Sequence, residues 1–308
     1  MFNKSFNAKY ATPNKKITSG QIALLFFLLM LTILVSIPIL LVFVSSVTNE
    51  ATIATEGFTL FPSSFSLNGF KAVLKYGRQL FVSYGVTVFV TISGTILGLL
   101  IMSMCAYTLT IRDFPLKKFL TVFLIIPMLF SGGQLSKYII YTSVYHLKDS
   151  FLLLILPLCV QTMYVFILRT YIQDSIPMEL RDAAKIDGAG NFTVFFRIVF
   201  PLMKPALSAV GFMLATMYWN EWQNALLFID SNDKKPLQLL LINIQKSIDM
   251  LLSKRNIPPA ALAALQGQVP QYSATMATVI IVIAPVMIAY PLFQRYIVKG
   301  FTMGSVKG

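Results

Sequence analysis

The chain has 308 residues, of which 56% are hydrophobic and 12% charged, and its net charge is +13. That apolar content excludes an ordinary soluble globule and places the chain in a bilayer. The basic residues sit mainly in short segments flanking apolar runs, the orientation signal of a membrane protein, which argues against nucleic acid as a partner despite the positive charge.

Residues 1–21 form a polar tail carrying Lys4, Lys9, Lys15 and Lys16 without an acid, and Ile22 to Val44 follow without a charge. The run is long enough to cross about 30 Å of hydrocarbon. It exceeds the apolar core of a signal peptide and lacks a small-residue cleavage site, so a first, uncleaved span is expected. Pro38 removes a helix hydrogen bond and predicts a kink toward its outer end. Residues 45–80 hold Glu50, Glu56, Lys71, Lys75 and Arg78 among polar residues and read as a first external segment, with a short amphipathic helix entered near Ser66-Leu67-Asn68-Gly69-Phe70. Phe81 to Tyr107 is a second uncharged run, and its Gly85, Gly94 and Gly98 predict close helix packing. Arg112, Lys117 and Lys118 mark a short inner loop.

A third span begins near Phe119, where Pro127 and Ser131-Gly132-Gly133 break the periodicity before Tyr138-Ile139-Ile140-Tyr141 resumes it. A helix broken at membrane depth must line a cavity or be buried in protein. Phe151 to Leu168 makes a fourth span.

The stretch Ile176-Pro177-Met178-Glu179-Leu180-Arg181-Asp182-Ala183-Ala184-Lys185-Ile186-Asp187-Gly188 follows it, continuing through Asn191 to Ile198-Val199-Phe200-Pro201-Leu202. Pro177 suits a first helical position, and Glu179 in the first turn meets the positive end of the helix dipole. Gly188 is the residue most able to leave the helix in a left-handed conformation, and Asn191 is expected to cap a second helix running to Pro201. Leu180, Ala183, Ala184 and Asp187 then fall on one narrow face, while Arg181 and Lys185 form a basic edge facing a partner's acidic groups. Taken alone, the pattern fits equally an amphipathic helix resting on the membrane surface.

The motif Asp182-Ala183-Ala184, three residues, Gly188, nine residues, Ile198-Val199-Phe200-Pro201 resembles the EAA loop of the permease subunits of binding-protein-dependent ABC importers. Asp182 stands for Glu and Phe200 for Leu, keeping charge and apolar character. Ile176-Pro177, Ile186-Asp187-Gly188-Ala189 and Lys204-Pro205-Ala206-Leu207 resemble the carbohydrate-importing branch. The resemblance implies an all-α integral membrane protein of six transmembrane helices, a type I importer domain with a cytoplasmic coupling helix. It further implies a homologous second permease completing a heterodimer, two cytoplasmic ATPase subunits, an extracellular solute-binding protein and a carbohydrate solute. ATPase coupling then falls to Glu179, Arg181, Asp182, Ala183, Ala184, Lys185, Asp187 and Gly188.

The fifth span covers about Pro205 to Ile229 and carries Tyr218-Trp219-Asn220-Glu221-Trp222-Gln223-Asn224. A carboxylate at that depth is expensive unless it faces protein or water. Continued as one helix, Tyr218, Glu221, Trp222 and Ala225 share a face with Asn220 and Asn224 beside it. Two readings stay open: a solute passage lined by Tyr218, Trp219, Asn220, Glu221 and Asn224, since aromatic planes and polar acceptors suit a sugar, or an interfacial aromatic belt with Glu221 bonded to a neighbouring helix. Residues 230–272 are a long external segment with an alanine-rich helix between Asn256-Ile257-Pro258-Pro259 and Gln266-Gly267-Gln268-Val269-Pro270-Gln271-Tyr272. By resemblance to maltose-type permeases, its tip at Gly267, Gln268 and Gln271 is expected to touch the docked binding protein; a passive cover over the outer mouth is the alternative.

A sixth span runs from about Ser273 to Gln294 with Pro285 and Pro291 as expected kinks, and Arg295, Lys299 and Lys307 follow. The domain plan is therefore a tail at 1–21, a six-span domain at 22–297 with its coupling loop at 174–204, and a tail at 298–308. The excess of Lys and Arg falls on the coupling-loop side, which predicts that both termini are cytoplasmic, and the resemblance implies a multi-pass protein of the bacterial cytoplasmic membrane. No Gly-x-x-x-x-Gly-Lys-Ser/Thr loop is present, so the chain is expected to be no enzyme, with ATP and Mg bound by the partner ATPases. His146, Cys105 and Cys159 make no metal-ligand cluster, and no cofactor is expected in this chain. An ion-driven secondary transporter and an importer for a non-sugar solute are the competing readings; the former requires intramembrane carboxylates, and only Glu221 lies deep in a span.

Overall fold

The computed structural model describes residues 18–75, 77–252 and 271–302. They form helices, with no strand among them beyond a single antiparallel bridge between Thr48 and Phe65. Three helices are long and apolar enough to cross a membrane: α1 (Ser19–Ser46), α4 (Gly77–Thr110) and the last helix, whose apolar part is Tyr272–Pro291. Three bent pairs complete up to six spans. α1 is exposed along nearly its whole length, as suits a helix facing lipid, and Pro38 lies within it.

Between α1 and α4, α2 (Glu50–Glu56) and α3 (Asn68–Leu74) build the segment at one end of the bundle. Glu50 is buried there. Its carboxylate accepts from the backbone amides of Tyr272 and Ser273 at 2.8 and 3.0 Å and from the Ser273 hydroxyl at 2.7 Å. These are unpaired donors at the start of α15 (Tyr272–Thr302), where a negative charge also meets the favourable end of the helix dipole. α15 continues past the expected span end at Gln294, with Pro285 and Pro291 inside it.

The centre of the bundle is α4, against which α12 (Lys204–Trp219) and α8 (Thr162–Ser175) pack. Gly94 and Gly98 make that approach possible. A Cβ on Gly94 would lie 2.4 Å from the Tyr218 ring, and one on Gly98 would lie 2.8 Å from Leu214 and 3.0 Å from the Cys159 carbonyl. Gly85 does not share this role, because nothing lies within 4 Å of its Cβ position.

The third span breaks more sharply than the sequence suggests. α5 (Lys117–Leu129) ends two residues after Pro127, Phe130 is extended, and α6 (Gly133–Ile139), prolonged by a π-turn to Val144, sets off at 118° to it. Proline removes an amide donor and its ring crowds the carbonyl four residues earlier, which weakens the last turns of α5 next to the Ser131-Gly132-Gly133 run. The fourth span is also bent: α7 (Leu152–Ile155) and a 3-10 turn to Leu158 meet α8 at 50°. The Thr162 hydroxyl at the start of α8 donates to the Leu124 carbonyl at 2.9 Å, tying the fourth span to α5.

The fifth span is not the continuous helix read from its hydropathy. α12 stops at Trp219, and α13 (Gln223–Phe228) starts after a break at residues 220–222. The Asn220 side chain donates to the Thr216 carbonyl at 2.9 Å, and the Glu221 carboxylate accepts from the Asn224 amide at 2.7 Å. One short polar side chain thus competes with the ladder at the end of α12, and the next supplies an acceptor that starts a new helix. Residues 230–252 of the segment expected to be external are largely α14 (Leu237–Leu252), which buries Leu237, Leu239, Leu240, Leu241 and Ile244 in the bundle. The Leu237 amide donates to the Thr87 hydroxyl of α4 at 2.8 Å. The expected alanine-rich helix with its tip at Gly267 and Gln268 lies outside the described residues.

Candidate functional site

The segment expected to couple to an ATPase lies at the end of the bundle at which α4 finishes, where Arg181 meets Thr110. α9 (Met178–Ile186) is preceded by Pro177 as its capping residue, one position earlier than expected, and carries Glu179 in its first turn. The chain leaves α9 through Asp187 and Gly188, whose φ of +83° requires a residue without a Cβ. The Gly188 and Ala189 amides close onto the carbonyls of Lys185 and Ala184 at 3.0 and 2.9 Å. α10 (Asn191–Val194) opens with Asn191 as its first residue and Gly190 as the cap, so Asn191 does not fill the capping position expected of it. A π-turn at Phe195–Val199 leads into α11 (Phe200–Leu202), and the segment Asn191–Leu202 meets α12 at 78°. It therefore lies across the bundle end, anchored by buried Val194, Phe195 and Val199.

Arg181 departs most from expectation. It does not pair with Lys185 on an outer edge but is 9% exposed, and its guanidinium donates to the Thr110 hydroxyl at 3.0 Å. Thr110 is the last residue of α4, so the cation also sits where the dipole of that long helix favours positive charge. Ala184, one turn later, is half-buried against the core rather than part of the outer face. Glu179, Asp182, Ala183, Lys185, Asp187 and Gly188 are exposed. Leu180, Ile186 and Phe192 lie open beside them, at 47%, 86% and 71% exposure. A small, apolar-centred surface edged by charges thus faces away from the bundle, while Arg181 holds the helix to α4.

The residues expected to line a passage are distributed otherwise. Tyr218 is buried between Gly94 and the fourth span, with its hydroxyl donating to the Ile155 carbonyl at 2.6 Å. Trp219 is buried as well, its indole donating to the Val282 carbonyl at 3.0 Å and its ring meeting Tyr84 edge-on. Both are internal struts. Because α12 ends at Trp219, Glu221, Trp222 and Ala225 do not share a helical face with Tyr218. Asn220 accepts from the Gln238 side chain at 3.0 Å, and Glu221 caps α13. Asn224 is buried and its side-chain oxygen accepts from the Lys137 ammonium at 3.1 Å.

Lys137 leads to a half-open cavity of about 870 Å³ formed by the break between α5 and α6 and the bend of the fourth span. Its polar lining includes Ser131, Gln134, Ser136, Lys137, Gln161 and Thr162, set among apolar side chains. The broken third span does line a cavity, but the chemistry facing it comes from α6 and the start of α8, and Asn224 joins it through Lys137. The sequence signal was available: a lysine five residues into an otherwise uncharged stretch after the break. Gln271, beside the Glu50 anchor, accepts from the Thr275 amide and hydroxyl through its carbonyl at 3.0 and 2.7 Å.

A family model described as "Binding-protein-dependent transport system inner membrane component" matches residues 94–303. The polygalacturonan/rhamnogalacturonan transport system permease protein YtcP of Bacillus subtilis (strain 168) is 32% identical over 287 residues, covering 92% of this chain and 96% of that protein. Protein LplC of the same organism is 33% identical over 273 residues, covering 88% of this chain and 89% of its own length. The arabinooligosaccharides transport system permease protein AraQ of Halalkalibacterium halodurans is 30% identical over 275 residues, covering 88% of this chain and 91% of AraQ. In the fold, a crystal structure of a bacterial ABC transporter involved in the import of the acidic polysaccharide alginate matches with a TM-score of 0.73 at 23% identity, covering 92% of this chain and 99% of that one. With up to six spans and this extent of likeness, the chain belongs to the binding-protein-dependent transport system inner membrane components, the multi-pass permease family of ABC transporters.

Proposed function

We propose that this chain is the permease subunit of an ATP-driven importer that takes up an oligosaccharide or related carbohydrate delivered by an extracellular binding protein. The carbohydrate class is supported by the relatives, named for polygalacturonan, rhamnogalacturonan and arabinooligosaccharide transport. The observation that carries the coupling role is the free surface of α9: Ala183 exposed at its centre, Leu180 and Ile186 beside it, and Arg181 tying the helix to α4 from behind.

In this reading a homologous permease completes the passage, and two cytoplasmic ATPases bind ATP and Mg and receive α9. Closure of the ATPases displaces α9, and the Arg181 to Thr110 contact passes that displacement to α4, the central helix. ATP must favour the outward-open state differentially, since equal affinity for both states shifts nothing. Both termini lie in the cytoplasm of a bacterium, and the segment ending at Gln271 faces the binding protein. An ion-driven mechanism is less well supported, because the carboxylate of Glu221 is engaged in capping α13.

Ala183→Arg tests the docking role. The position is exposed, so the chain should insert and fold normally, while recovery of ATPase with the permease and ATP-dependent uptake should both fall at least about tenfold, as expected when a bulky charge meets a close-packed interface. Undiminished co-purification and uptake in this variant would remove α9 as the docking element.

A further inference from the structure

We propose that Lys137 is the residue on which this permease holds the carboxylate of an acidic sugar, so that the cavity selects uronate-bearing oligosaccharides over neutral ones. The inference rests on the carbohydrate-permease reading and names the substrate class for it.

The cavity of about 870 Å³ falls within the roughly 300–1,000 Å³ of small-molecule sites. Lys137 is the charged side chain of its described lining, and no Asp or Glu contributes to that lining. An ammonium has three protons to donate. Here one meets the neutral Asn224 oxygen at 3.1 Å, and among the described residues no carboxylate forms an ion pair with Lys137. Within a membrane-spanning bundle a cation without a counter-charge is costly, and intramembrane ionisable groups face a pathway or pair with one another. The backbone of Asn224 is held at the start of α13, where its main-chain N–H donates to the Glu221 carboxylate at 2.7 Å, and its side chain is buried. The ammonium is therefore aimed by a held acceptor and keeps donors for an anion arriving in the cavity.

The surroundings suit a sugar that carries that anion. Gln134, Lys137 and Tyr141 lie at i, i+3 and i+7 along α6 and its π-turn, and all three line the cavity. An amide meets hydroxyls, an ammonium meets a carboxylate, and an aromatic ring meets the C–H face of a pyranose. The Tyr141 ring is held edge-on against Phe228 at 5.7 Å between centroids. A charge-assisted bond is about twice as strong as a neutral one. A neutral sugar leaves Lys137 without its counter-charge, whereas a uronate supplies it, and the expected preference is about tenfold or more.

The test uses the complete transporter, this chain with its partner permease and ATPases, in lipid nanodiscs. A trisaccharide of galacturonic acid and its fully methyl-esterified form are titrated calorimetrically at pH 7, with neutral maltotriose alongside. The wild-type complex should bind the acid at least about tenfold more tightly than the ester, and this ratio should shrink as salt is raised. Lys137→Met should bring the ratio to about one, and Lys137→Arg should retain a preference for the acid. Equal binding of acid and ester by the wild type overturns the assignment without needing any variant. So does a Lys137→Met complex that melts at lower temperature yet keeps the wild-type ratio, which would mean that Lys137 pairs with a carboxylate of the partner permease. Binding of none of the three sugars by the wild type would instead overturn the carbohydrate reading beneath the inference.

Discussion

Gly94 shows how much a single atom matters where spans cross. Its Cβ position lies within 2.4–2.7 Å of three atoms of the Tyr218 ring, and that ring cannot swing aside without losing the bond from its hydroxyl to the Ile155 carbonyl. Gly94→Ala is expected to destabilise the folded permease by about 1–3 kcal/mol, the usual cost of overpacking a filled site. Gly85→Ala, into open space, should be neutral or slightly stabilising. Thermal denaturation of the two variants in the same detergent separates them; equal melting temperatures would mean that Tyr218 does not hold the crossing. The three glycines look alike in the sequence. Which of them a neighbour meets depends on where α12 lies, and Tyr218 is far from Gly94 along the chain. Arg181 teaches the same lesson from the polar side: helical spacing grouped it with Lys185, and a hydroxyl 71 residues away turned it inward.

At the scale of elements, the connection between α6 and α7 is clasped to the segment between α13 and α14. Asp149 accepts from the Ser231 hydroxyl, from the Ser231 and Asp230 amides at 3.0 and 3.1 Å, and from Lys234 at 2.9 Å, while Lys148 pairs with Asp230 at 2.9 Å. Asp149 has a φ of +57°, which a short polar side chain tolerates better than most. The Ser231 hydroxyl and amide, then Lys234, hold the Asp149 carboxyl well below the usual carboxylate range. A carboxylate depressed in the folded state contributes stability that is present above its unfolded pKa of about 3.9 and is lost only as pH falls through the lower folded value. The clasp should therefore be indifferent to pH from 7 down to about 4.5. Hydrogen exchange at the Ser231 amide reads this directly. Protection should be constant over that range and should drop at pH 7 in Asp149→Asn; protection that fades between pH 7 and 4.5 would contradict the charged clasp. Asp149 and Ser231 carry no pattern that marks them as partners, whereas the breaks they flank were partly legible. Pro127 and the Ser131-Gly132-Gly133 run announced the broken third span, but the stop after Trp219 depended on how Asn220 and Glu221 used their side chains.

For the whole molecule, the six-span plan and the placement of basic residues predict one orientation. A reporter active only outside the cytoplasm should be active when inserted after Thr59 or Asp233, and inactive when fused to either terminus or inserted after Pro115. Activity at a terminus would invert the arrangement and put α9 on the wrong side for an ATPase. Hydropathy and the basic flanks were enough, from the sequence alone, to specify a multi-pass membrane protein, the Gly188 exit marked the end of α9, and the resemblance of the Asp182 to Pro201 motif pointed to the permease family, because spans and turns depend on the bilayer or on residues within a few turns. Tertiary structure alone decided that Tyr218 and Trp219 are struts, that Arg181 is a tether and that Lys137 faces a cavity. Each of those roles is set by a partner 63 to 87 residues distant, and a side chain's direction follows the neighbour it meets.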